Sequence, residues 1–234
     1  MSTLINVAPD GGRKVSPHVG LTSDVPLNNT QNEVSVRYAP NPMKKWYVLR
    51  ATYHREKKAY DYILSKRNSP DGNRIDAECY LPLRHVAKIV KGKRRFKIEP
   101  FLPNFLFVYA TLETISQILN NDDLNFLNPY YDHFKQDEAG KNPPLTIPYA
   151  AMMNFIKVTS VDIDKVKVVS EDQCHFKSGD LVKVTGGEFK GVVGRVARLG
   201  GQQRVVVEVK GVCLVSTAYV PTGLLGRSEE RRVG

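Results

Sequence analysis

Cysteine is scarce in this chain. The 234 residues hold three, Cys79, Cys174 and Cys213, odd in number and far apart, with no CxxC pair. That spacing disfavours a disulfide framework and a zinc site, and it makes a reducing cytosol the expected compartment. Cys174 adjoins His175, but without further ligands nearby the pair reads as a partly buried thiol beside a surface histidine. Long apolar runs are missing too. No stretch approaches the roughly 20 residues that a membrane helix needs, and Met1–Asp10 lacks the basic-then-apolar order of a secretory signal. Catalytic constellations are also absent. The five histidines, His18, His54, His85, His133 and His175, have no acid or nucleophile at a recognisable motif spacing. Asp122-Asp123 reads as turn chemistry, and no Gly-rich phosphate loop precedes a helix. An enzyme is therefore not expected, and neither is a cofactor or a metal.

Acidic residues are in the minority, 24 against 34 Lys and Arg, for a formal net charge of +10. The excess points to an anionic partner, nucleic acid first and an anionic membrane surface second. Hydrophobic residues make up 41% and charged residues 25%, the balance of a folded chain long enough to bury a sizeable core.

Residues 1–43 are rich in Ser, Thr, Asn, Pro and Gly without apolar periodicity, and are expected to form a mobile tail. Order is expected from Lys45-Trp46-Tyr47-Val48-Leu49-Arg50, a strand. A helix over His54–Ser69 follows, with Ala59, Tyr62, Ile63 and Lys66 on one face, ending in the turn Ser69-Pro70-Asp71-Gly72. Strand-like runs cover Ala77–Leu81, His85–Val90 and Arg94–Ile98, and Lys91-Gly92-Lys93 is a hairpin tip. Phe105–Tyr109 reads as a buried strand, Leu112–Leu119 as a helix, and residues 132–144 as a surface loop. Pro148 suits the first turn of a last helix carrying Met152, Phe155 and Ile156. This order predicts an α+β domain, an antiparallel sheet packed with helices, over 44–157. Residues 158–173 are a linker or an added strand. Short strands over Leu181–Thr185, Val192–Leu199, Arg204–Val209 and Val212–Thr217 then predict a small β-barrel over 174–225.

Two segments carry a resemblance. Lys177–Val184 followed by Gly187-Glu188-Phe189-Lys190-Gly191-Val192-Val193-Gly194-Arg195-Val196 resembles a KOW motif, the strand-loop-strand signature of SH3-like barrels. Trp46-Tyr47-Val48-Leu49, a helix, a basic hairpin and Phe101-Leu102-Pro103-Asn104-Phe105-Leu106-Phe107-Val108 resemble the NGN domain of the NusG family. Within that family, Gly201–Val207 and Cys213–Pro221 are similar to the UpxY paralogues, antiterminators of capsular polysaccharide operons. The final stretch, 226–234, departs from these patterns and resembles either translated adaptor sequence or a charged tail.

The NusG resemblance implies a cytoplasmic, monomeric transcription elongation or antitermination factor. It implies that Tyr47, Phe101, Leu102 and Pro103 form an exposed apolar patch for the clamp region of RNA polymerase. Arg84, Lys88, Lys91, Lys93, Arg94, Arg95 and Lys97 are the candidates for nucleic-acid contact. Alternating cations on a hairpin attract phosphates with little regard to sequence, here those of non-template or upstream DNA. Phe189 and Lys190, at the KOW loop tip, are candidates for docking a protein such as a ribosomal protein. A housekeeping NusG-like factor and a KOW-containing ribosomal RNA-binding protein are the alternatives.

Overall fold

The computed structural model describes residues 37–67, 69, 74–161, 163–176 and 181–228. Most of the expected tail, the turn at 70–72, the start of the KOW-like segment at 177–180 and residues 229–234 lie outside the described residues.

Strand β1 (Lys45–Ala51) is the centre of the first sheet. It pairs antiparallel with β5 (Phe105–Ala110), so that Tyr47 faces Val108 and Leu49 faces Leu106. β2 (Glu78–Tyr80) extends the sheet beyond β5, while β6 (Leu127–Pro129) and β7 (Thr146–Ile147) pair with the other edge of β1. Both faces of this sheet are buried, which explains why β1 and β5 read as continuous apolar runs rather than alternating ones. One face, with Tyr47, Leu49, Leu106 and Val108, is covered by α1 (Glu56–Lys66) through Ala59, Tyr60 and Ile63. Ile115 and Ile118 of α2 (Leu112–Leu119) complete that layer. The helix boundaries of α2 match the expectation, and Thr111 caps it by accepting from the Thr114 N–H at 3.2 Å. In α1 the buried aromatic is Tyr60; Tyr62, expected on the inner face, hydrogen-bonds Asp123 at 2.9 Å near the surface.

Trp46, Val48, Phe107 and Tyr109 occupy the opposite face. Against them lies α3 (Tyr149–Ser160), which begins directly after Pro148 and buries Met152, Phe155 and Ile156. The ring of Phe155 meets those of Phe107 and Tyr80 at 5.3 and 6.0 Å. The far side of the helix packs on a second sheet, through strands β12 (Gln202–Val209) and β13 (Cys213–Tyr219). The Asn154 Oδ1 accepts the Val193 N–H at 3.1 Å across this junction.

The second sheet runs β14 (Leu225–Arg227), β10 (Val182–Val184), β11 (Val193–Leu199), β12, β13, β8 (Lys167–Val169), and the short β9 (His175–Phe176) pairs with β11. The open question at 158–173 is answered in part by β8, whose Val168 pairs with Val215. The result is an α+β domain followed by a β-rich one. The two outermost strands, β14 and β8, do not pair with each other among the described residues, so the sheet stays open where a closed barrel was expected. Gly194 shows why the β11–β12 pair is so close: a Cβ there would stand 2.5 Å from the Val206 carbonyl oxygen. The segment 226–228, expected to lie outside the fold, is partly ordered. Gly226 pairs with Lys183, and the Ser228 N–H donates to the Leu181 carbonyl.

One further departure lies at the front. Tyr38, placed by composition in the mobile tail, is fully buried against Trp46 with ring centroids 5.1 Å apart. Its hydroxyl donates to the Cys79 carbonyl at 3.1 Å, and its own carbonyl accepts from the Tyr149 hydroxyl at 2.6 Å. Arg37 and Lys44 add ion pairs to Glu78 and Asp76.

Candidate nucleic-acid interface

The basic hairpin forms as expected. β3 (Leu83–Val90) and β4 (Lys93–Pro100) make a two-stranded sheet of their own, hydrogen-bonded to neither large sheet. Lys91 and Gly92 close it with φ of +51° and +72°, the two consecutive positive values of a type I′ turn, whose twist suits adjoining strands. All seven expected cations, Arg84, Lys88, Lys91, Lys93, Arg94, Arg95 and Lys97, are on this hairpin and exposed.

Register sorts these residues between two faces. Arg84 stands opposite Glu99, Lys97 opposite Val86, and Arg95 opposite Lys88. Alternation places Lys93 on this same face. Glu99 lies among the cations, paired with Lys88 and, at 3.4 Å, with Lys97. The hydrogen bond from Lys88 holds the Glu99 carboxyl below the usual carboxylate range. The other face carries His85 opposite Ile98, Ala87 opposite Phe96, and Ile89 opposite Arg94. Ile89 and Phe96 are 80% and 68% exposed. This apolar strip was not singled out from sequence, although the two-residue alternation of 85–89 and 94–98 contains it.

The foot of the hairpin borders a hollow of about 550 Å³, lined by Arg84, Lys88 and Lys97 and by His54, Glu56 and Lys57 at the start of α1. The chain enters α1 through Tyr53 and His54, both at positive φ (+58° and +53°), a conformation unusual for side chains of this size. Glu56 is buried and accepts the Asn104 N–H at 3.2 Å, which ties the Phe101–Asn104 loop to the helix start.

The other expected site residues are placed differently. Tyr47, Phe101 and Leu102 were expected to form an exposed apolar patch, but they are 6%, 3% and 7% exposed. Tyr47 faces the α1–α2 layer, while Phe101 and Leu102 join the α3 side; Pro103 alone of the four is exposed. Tyr47 is covered because both faces of the first sheet are buried, whereas Phe101 and Leu102, in the loop between β4 and β5, turn inward to join the apolar cluster around α3. Phe189, expected to project from the loop tip, is 5% exposed and belongs to the cluster around α3. The loop folds back because the Gly191 N–H donates to the Val184 carbonyl at 2.7 Å, with Gly191 at φ +83°. Lys190 is exposed beside it.

The three thiols are free, and burial raises each, Cys213 to about 12; none is poised as a nucleophile. Among the described residues there is no cluster of His, Cys, Asp and Glu able to hold a metal ion. None of their helices is long and apolar enough to cross a membrane.

Comparison with known proteins bears on the first domain. Residues 44–128, which run from β1 through the hairpin to β6, match the NusG family, described as "Transcription termination factor nusG". The chain is also similar to the solved structure "Domain interaction in Thermotoga maritima NusG", at 20% identity and a TM-score of 0.38, over 80% of this chain and 98% of that one. A second similarity is to "Crystal Structure of MjSpt4:Spt5 complex conformation A", at 12% identity and a TM-score of 0.24, over 80% and 99% of the two chains. The similarity to the NusG family thus lies in residues 44–128, the segment that holds β1, the cationic hairpin and β5, and it is to the family in general rather than to any one paralogue.

Proposed function

We propose that the chain is a NusG-type transcription elongation and antitermination factor that engages RNA polymerase through its first domain. The observation that supports this best is the family match over 44–128, the segment that also carries the protruding cationic hairpin. In this reading the hairpin lies near non-template or upstream DNA and is held there by phosphate contacts. Pro103 is the exposed member of the expected polymerase patch; contact through Tyr47, Phe101 and Leu102 requires those side chains to be uncovered. The β-rich domain is a KOW-type module that docks a protein such as a ribosomal protein, and the factor works as a cytoplasmic monomer.

The test is retention of the purified chain on transcription elongation complexes together with a measured change in pausing or termination. Absence of both retires the proposal. A KOW-containing ribosomal RNA-binding protein would instead stay on ribosomal subunits through a high-salt wash. The narrower reading, a UpxY-like antiterminator dedicated to one long polysaccharide operon, rests on 201–207 and 213–221 alone, and the family match favours the broader one. A polysaccharide gene cluster directly downstream of the gene would support the narrower reading, and its absence would count against it.

A further inference from the structure

We propose that residues 37–43 form a releasable latch. Docked, they plug an aromatic groove lined by β1, β2 and α3 and tether the first turn of that helix; undocked, they open the groove without unfolding the layers on either side. The inference stands apart from the transcription reading, because the segment lies ahead of the family match, which begins at residue 44.

The segment docks by side chains. Pro40 and Pro42 have no N–H to give to a ladder, and among the described residues 37–43 pairs with no strand. Residues 39–43 are all exposed, so a single ring carries the burial. That ring, Tyr38, is 1% exposed and lies against Trp46 and, edge-on at 6.4 Å, against Tyr80. Little buried apolar surface and an exposed backbone place such a segment at the low end of local stability, below the two-sided sheet that it covers.

Its bonds reach both layers of the first domain. The Arg37 Nη2 donates to the Tyr60 hydroxyl of α1 at 3.3 Å, and the guanidinium pairs with Glu78 of β2. The Asn41 N–H donates to the Tyr109 hydroxyl at 2.7 Å, and that hydroxyl donates back to the Asn41 carbonyl at 3.3 Å. The hydroxyl of Tyr149, the first residue of α3, donates to the Tyr38 carbonyl. Pro148, just ahead of it, supplies no capping side chain, so the latch holds the helix start from outside the helix. Ring contacts close the circuit: Trp46 stacks on Tyr109 at 5.1 Å, and Tyr109 meets Tyr149 at 6.1 Å. Lys44, paired with Asp76 at 2.8 Å, fixes the base of the latch.

Release costs one buried ring and a few hydrogen bonds, not a layer. The β1–β5 ladder and the α1 side of the sheet use none of the latch's apolar contacts. With Tyr38 withdrawn, Trp46, Tyr80 and Tyr149 line the vacated space, and the first turn of α3 loses its outside hold. The exposed stretch 39–43 is the handle: a cut there, or a partner that draws on it, acts on α3 through the link between Tyr38 and Tyr149.

The experiment is native-state hydrogen exchange of the full chain. The Asn41 amide and the Met152 amide, which donates to the Pro148 carbonyl in the first turn of α3, are expected to exchange about a hundredfold faster than the amides of β5, through an opening smaller than global unfolding. Tyr149→Phe removes only the tether and speeds Asn41 exchange about fivefold, the worth of one hydrogen bond. Tyr38→Ala speeds Met152 exchange by at least as much and raises acrylamide quenching of the single Trp46, while circular dichroism and the β5 amides stay as in the unaltered chain. Exchange of Asn41 only in step with the β5 amides would make the segment part of the core. Met152 exchange unmoved by Tyr38→Ala would leave a cover over Trp46 with no hold on α3. Either result overturns the latch, and if Tyr38→Ala does not fold, the unaltered chain and Tyr149→Phe decide.

Discussion

Replacing Phe189 by Ala separates a docking anchor from a core residue at a position where the two roles predict opposite results. The ring is 5% exposed and shares its cluster with Val184 of β10, with Val192 and Val220 next to β11 and β13, and with Phe155 of α3. Truncating a buried Phe to Ala costs about 3–5 kcal/mol. The Gly187–Gly191 loop beside it can partly collapse into the space, so the lower end of that range applies, about 3 kcal/mol. That figure lowers the ratio of folded to unfolded protein by about two orders of magnitude, and for a chain of this size lowers Tm by roughly 6–12 °C. Urea unfolding, followed by fluorescence of the single buried Trp46 and by circular dichroism, reads the change directly. A variant within about 0.5 kcal/mol of the unaltered chain refutes the packing argument. If it also lost a protein partner, Phe189 would be an anchor after all.

Two further substitutions test other parts of the structure. Gly194→Ala brings a Cβ within 2.5 Å of the Val206 carbonyl oxygen and 2.8 Å of the Val205 Cγ1. The β11–β12 pair must part, so a loss of about 2–3 kcal/mol is expected; an unchanged urea midpoint would show that the strands separate freely. Glu78 is a matter of pH. Burial raises its carboxyl above the usual carboxylate range, outweighing the attraction of Arg67 and Arg37, so the folded state holds this proton more tightly than the unfolded one. Its contribution to stability is therefore full at low pH and lost as pH rises from the ordinary carboxylate range through the raised value. Urea midpoints recorded across that range should fall more steeply for the unaltered chain than for Glu78→Gln, and equal slopes would refute the assignment.

Much of the first domain was legible in the sequence because its signals are local. Leu112–Leu119 has both helical spacing and a capping Thr111. Pro148 marks a helix start, and Lys91-Gly92 can take the positive φ values of a tight hairpin. What could not be read depends on distant partners. Tyr38 sits in a stretch without apolar periodicity, and its order comes from Cys79 and Tyr149, 41 and 111 residues away. The composition of a segment does not record such contacts. Phe189 and Tyr47 looked available for partners because a motif places them on a loop and a strand without saying what covers either. The short strands β8 and β14 have three residues each, too few for a period to emerge. The candidate interface was half read. Its cations were visible as a charge run, whereas its apolar strip needed the β3–β4 register to place Ile89, Phe96 and Ile98 together.

Helix α3 lies between two sheets and offers apolar side chains to both. Such a helix ties the cooperativity of the whole chain together, because neither sheet can melt without uncovering one flank of it. The chain should accordingly lose its structure in a single transition. Cutting it after residue 161 would yield a fragment whose last helix shows solvent a greasy flank, prone to self-association at the concentrations used in purification.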